Sequence, residues 1–111
     1  MSASVFPYSE TAPTRAEVDA MAGPVLLDFG TNWCGFCQRA QPAVDQALAT
    51  YPQVRHIKVE DGPGRALGRA FKVKLWPTLV AVQDGVELAR VVRPADVHAV
   101  GEVLTRFTPT A

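Results

Sequence analysis

A chain of 111 residues has room for one domain, long enough to bury a core without structural disulfides or metal. Its 11 Lys and Arg balance its 11 Asp and Glu, and no basic stripe interrupts the sequence, so nothing in the charge pattern asks for nucleic acid or an anionic membrane. No apolar run approaches membrane-spanning length, and Met1-Ser2-Ala3-Ser4-Val5-Phe6-Pro7 lacks the basic and apolar regions of a signal peptide, so a soluble, cytoplasmic monomer is expected.

Residues 1–13 carry Pro7, Pro13 and several hydroxyl residues and are predicted to form a flexible arm with no residue that carries chemistry. Thr14 and Glu17 have capping-box spacing, and Val18, Met21 and Ala22 form the apolar stripe of a short helix ended by Gly23-Pro24. Residues 25–30 are apolar apart from Asp28, the pattern of a central strand covered on both faces. Directly after them, Trp33-Cys34-Gly35-Phe36-Cys37 holds the only two cysteines, three apart.

From Cys34 to Tyr51, apolar residues at 40, 44, 47, 48 and 51 keep helical spacing, and Pro42 inside that span should kink the helix. Val54 to Glu60 alternates imperfectly and reads as a strand; Asp61-Gly62-Pro63-Gly64 is a turn into a short helix ending at Phe71. Strands at 78–82 and 86–92 flank Asp84-Gly85, a two-residue hairpin signal. After Pro94, the stripe Val97, Val100, Gly101, Leu104, Phe107 marks a last helix, with Glu102 and Arg106 expected to pair on its outer face.

Cysteines three apart on a helical turn have Cβ atoms roughly 5–6 Å apart, and a disulfide needs about 3.5–4.5 Å. A small adjustment therefore closes the bond, and the short loop makes it a poor staple. At a helix start, free backbone N–H groups and the macrodipole stabilise a thiolate, so Cys34 is the predicted nucleophile and Cys37, one turn inside, the resolving thiol. A lone pair in a reducing compartment is more often catalytic or metal-binding than structural. Two thiolates fall short of the four ligands of a structural zinc site, and His56 and His98 sit apart at expected surface positions, so neither metal nor cofactor is predicted.

Taken in order, the Trp-Cys-Gly-x-Cys box, Asp28 six residues before Cys34, Pro42 eight after it, and Trp76-Pro77-Thr78 ahead of an Asp-Gly hairpin make the chain resemble the thioredoxin superfamily from about residue 14 to residue 107. The resemblance implies an α/β thioredoxin fold over residues 14–111, a central mixed sheet of about four strands flanked by about four helices. It implies a cis Pro77 that leaves the preceding backbone open to an extended substrate segment, and Asp28 as proton relay for Cys37. Trp33, Gly35, Phe36, Trp76 and Pro77 would bind substrate. The function implied is thiol–disulfide exchange between the Cys34–Cys37 pair and protein disulfides or dithiols, recycled by a reductase or by glutathione. A non-catalytic redox-sensing or protein-interaction module on the same fold is the rival reading.

Three positions depart from the thioredoxin pattern. Phe36 replaces the proline before the second cysteine, which implies a protein less reducing than thioredoxin, whose potential is about −270 mV. Gly30 stands where thioredoxins usually have a second tryptophan, and Arg93-Pro94 replaces a glycine-containing patch; both suggest different partners. Thioredoxins also place a lysine near the buried carboxylate, and either Lys58 or His56 could fill that role.

Overall fold

The computed structural model describes residues 8–108. Eight elements follow in the order helix, strand, helix, strand, helix, strand, strand, helix: α1 (Arg15–Ala20), β1 (Pro24–Gly30), α2 (Gly35–Leu48), β2 (Arg55–Glu60), α3 (Ala66–Ala70), β3 (Thr78–Gln83), β4 (Val86–Val92) and α4 (Val97–Leu104). The strands form one sheet in the order β2-β1-β3-β4, with β1 parallel to β2 and the other neighbours antiparallel. This is the mixed four-stranded sheet with four helices that the sequence implied.

Strand periodicity divides the core into two layers. Val25, Leu27 and Phe29 of β1 pack with Val18, Leu67 and Phe71 on one face. Leu26 packs with Val44, Ala47, Val100 and Leu104 on the other, against α2 and α4. Asp28 shares the face of Leu26, and so points under the start of α2.

Local signals account for the boundaries. The Thr14 side chain accepts from Glu17 N–H at 3.0 Å while the Glu17 carboxylate accepts from Thr14 N–H at 2.8 Å, the reciprocal capping box read from sequence. α2 runs through Pro42 as one assigned helix. In the β3–β4 turn both Asp84 and Gly85 have positive φ, 51° and 83°, as a hairpin twisted like its strands requires. At Gly85 a Cβ would also stand 2.6 Å from the Asp19 carbonyl oxygen.

Two expectations are corrected. The domain does not begin at residue 14: Ser9 N–H donates to Lys58 O, Glu60 N–H donates to Ser9 O, and Tyr8 is buried, so residues 8 and 9 extend the edge of β2. The part of the arm before Tyr8 lies outside the described residues. Glu102 pairs with His98 Nε2 at 2.8 Å rather than with Arg106, because α4 ends at Leu104 and Arg106 lies past its last turn.

Candidate functional site

Cys34 is the N-cap of α2, and its sulfur accepts the Cys37 N–H at 3.2 Å, one of the donors a helix start leaves without a backbone partner. Both cysteines are free thiols. They pack with Tyr8 and Trp76, Cys34 at 7% exposure and Cys37 at 3%. Burial, with the hydrogen bond to Cys34 adding, pushes the Cys37 thiol from 9.0 up to about 12.

Asp28 is buried beneath them and both its oxygens are engaged. Oδ1 accepts from the Tyr8 hydroxyl at 2.7 Å, and Oδ2 lies 2.9 Å from His56 Nε2. His56 and Lys58 are two residues apart in β2, so both face Asp28's side of the sheet, and the sequence could not choose between them. The imidazole takes the carboxylate; the Lys58 ammonium lies 4.5 Å over the Tyr8 ring. His56 is therefore not the solitary surface residue expected from sequence.

Tyr8 also answers the absence of a tryptophan at residue 30. A Cβ on Gly30 would sit 2.6 Å from Cys37 Sγ, 2.8 Å from Tyr8 Cζ and 2.9 Å from Tyr8 Oη. The ring of Tyr8 occupies the space that a side chain at residue 30 would claim. Its backbone N–H is tied to Asn32 Oδ1 at 2.7 Å, and Gln38 Nε2 donates to Asn32 O at 2.8 Å, which links Tyr8 to the cysteine loop. Burial and the adjacent carboxylate push the Tyr8 phenol well above its ordinary value, so it stays protonated.

The rim is aromatic and cationic. Trp33 is 73% exposed and meets Trp76 edge-on with ring centres 5.6 Å apart. Trp76 is held from below by Asp61, whose Oδ2 accepts its indole N–H at 2.8 Å. The Trp76–Pro77 bond is cis, as the resemblance implies, and Pro77 is buried beside the site. Phe36 is 46% exposed, with the guanidinium groups of Arg39 and Arg93 at 4.8 and 3.7 Å from its ring centre. Gly35 is exposed, and a Cβ there would meet Arg39 at 3.2 Å. Arg93 has φ 50°, and its Nε donates to the Trp76 carbonyl at 2.9 Å.

All the predicted site residues thus converge on the start of α2, and Tyr8, His56, Asp61 and Arg93 join them. Of these, the sequence singles out only Arg93, as a departure from the thioredoxin pattern, and His56, as one of two candidates to stand near the carboxylate. Among the described residues no group of three or more His, Cys, Asp or Glu is placed to hold a metal.

Comparison with known proteins agrees with this geometry. Residues 8–106 match the family model described as Thioredoxin, whose match begins at Tyr8. The chain is 31% identical over 83 residues to thioredoxin Asp f 28 of Aspergillus fumigatus, covering 75% of this chain and 77% of that one. It is 35% identical over 71 residues to a thioredoxin of Chlamydia pneumoniae, covering 64% and 70%. Among solved structures, reduced thioredoxin 2 from Pseudomonas aeruginosa PAO1 is similar with a TM-score of 0.81 and 56% identity, over 89% of this chain and 92% of that one.

Proposed function

Since the chain belongs to the thioredoxin family and is a thiol–disulfide oxidoreductase, we propose that its Cys34–Cys37 pair reduces protein disulfides in the cytoplasm at a potential less negative than thioredoxin's. The observation that carries the assignment of roles is the Cys34 sulfur at the α2 N-cap, accepting the Cys37 N–H. Its thiolate attacks a substrate disulfide and forms a mixed disulfide. Cys37, losing its proton toward Asp28, attacks Cys34 and releases the reduced substrate. Run backwards, the same steps oxidise a dithiol.

Trp33, Phe36, Trp76 and the cis Pro77 border the groove that receives the substrate segment. An extended segment pairing with the Trp76 carbonyl displaces Arg93 Nε from it. The displaced guanidinium and Arg39 then lie beside the bound chain, which suits acidic residues flanking the substrate disulfide. The lower reducing power follows from Phe36 between the cysteines, where thioredoxin has proline. Recycling falls to a reductase or to glutathione.

Equilibration of the pair against glutathione, followed by Trp33 fluorescence, tests the potential. A value tens of millivolts above about −270 mV is expected, and one at or below it refutes the lower reducing power. Acceleration of insulin reduction by dithiothreitol, absent in Cys34→Ser, separates turnover from a sensing role.

A further inference from the structure

Cys37 must lose a proton to resolve the mixed disulfide, yet burial holds that proton tightly. Gly30 has no side chain, and over it Cys37 Sγ and Tyr8 Oη converge on one point, 2.6 and 2.9 Å from the position a Cβ would take. The Tyr8 side chain packs against Cys37 on one side, and its hydroxyl donates to Asp28 Oδ1 at 2.7 Å on the other. Asp28 Oδ2 in turn lies 2.9 Å from His56 Nε2. These contacts form one continuous line, thiol to phenol to carboxylate to imidazole, in a region nearly closed to water.

We propose that Tyr8 is a catalytic residue of the resolving step, its hydroxyl accepting the Cys37 proton while passing its own to Asp28, with His56 positioning the carboxylate that receives it. The proposal rests on the exchange reaction above and names the group that moves the proton within it. In the step, the Cys37 S–H bond breaks and its proton goes to Tyr8 Oη. The Tyr8 O–H bond breaks and its proton goes to Asp28 Oδ1. The Cys37 electron pair forms the bond to Cys34 Sγ, and the Cys34–substrate bond breaks, its electron pair leaving as substrate thiolate that solvent protonates. The dithiol is oxidised, the substrate disulfide is reduced, and no tyrosinate forms because Tyr8 accepts and gives in one motion. The raised phenol value fits such a transfer and opposes a stable tyrosinate. The other titratable groups facing this line are Cys34 from the α2 start, whose sulfur is bonded to substrate during the step, and Lys58 from β2, whose ammonium stands over the Tyr8 ring.

Tyr8→Phe keeps the ring in the Gly30 space and removes the hydroxyl, and with it the relay and the hydrogen bond to Asp28. The reduced protein, mixed with one equivalent of 5,5′-dithiobis(2-nitrobenzoate) in a stopped-flow cell, releases thionitrobenzoate in two phases. The first is bimolecular, from attack by Cys34; the second is independent of concentration, from attack by Cys37. In Tyr8→Phe the second phase is expected to slow about tenfold or more at pH 7, with the first unchanged within about twofold. That deficit is expected to shrink as pH rises and hydroxide takes the proton directly. A second phase as fast as wild type, or a slowing that does not shrink with pH, overturns the relay. His56→Gln, which keeps a donor to Asp28, is expected to show a smaller pH-dependent slowing of the same phase; none would remove His56 from the line. Failure of the wild type to show two phases would count against the exchange reaction itself.

Discussion

Gly30→Ala tests whether Tyr8 is packed against the cysteines as described. The glycine does not need its conformational freedom, so the substitution is judged on space alone. The added methyl would lie 2.6 Å from Cys37 Sγ and 2.8 and 2.9 Å from Tyr8 Cζ and Oη, all inside van der Waals contact. Tyr8 cannot retreat freely, since its hydroxyl is bonded to Asp28 and its backbone to Asn32, both at 2.7 Å. Forcing one carbon into a packed core costs about 1–3 kcal/mol, and restricting the unfolded chain returns about 0.4–1 kcal/mol. A net loss of about 1–2 kcal/mol follows, which for a urea m-value of about 1–3 kcal/mol/M moves the midpoint down by roughly 1 M. In a Tyr8→Ala background the same change should cost less, because two of the three contacts are gone, giving a coupling of about 1 kcal/mol in the double-mutant cycle. Gly30→Ala as stable as wild type, or equal costs in both backgrounds, would refute the packing.

Two further outcomes follow from the same geometry. In the reduced protein the folded value of Cys37, about 12, lies above its ordinary 9.0. The folded state therefore holds that proton more tightly. Stability from this group is full below about pH 9 and declines as pH rises toward 12. Urea midpoints between pH 8 and 10.5 should fall more steeply for wild type than for Cys37→Ser, and equal slopes would count against a buried Cys37. Arg93→Gly should lower, several-fold, the kcat/KM advantage of peptide disulfides with acidic flanks over those with basic flanks, a change on the scale of one exposed ion pair; an unchanged ratio would remove Arg93 from substrate selection.

What the sequence displayed was whatever is written locally. The cysteine box follows a strand and opens a helix within a dozen residues, the Thr14–Glu17 cap spans one turn, and Asp84-Gly85 announces its own hairpin. Tyr8 was invisible because its partner Asp28 is 20 residues away and no periodicity links a segment without regular structure to a strand. Gly30 was the available signal: a missing side chain in a packed site has to be filled by something. His56 and Lys58 shared one strand face, so only the approach of Asp28 could decide between them. Asp61 looked like a turn residue, but the turn closes from Gly62 to Arg65, and the Asp61 carboxylate anchors the Trp76 indole across 15 residues. Glu102 misled because the apolar stripe ran on to Phe107 while the helix stopped at Leu104.

The assignment of the two sulfurs is tested most directly by mass analysis of the adducts that Cys37→Ser and Cys34→Ser form with insulin. Cys37→Ser should accumulate a mixed disulfide through Cys34 that only added reductant removes, and Cys34→Ser should accumulate none. Equal adduct from both variants would contradict the account.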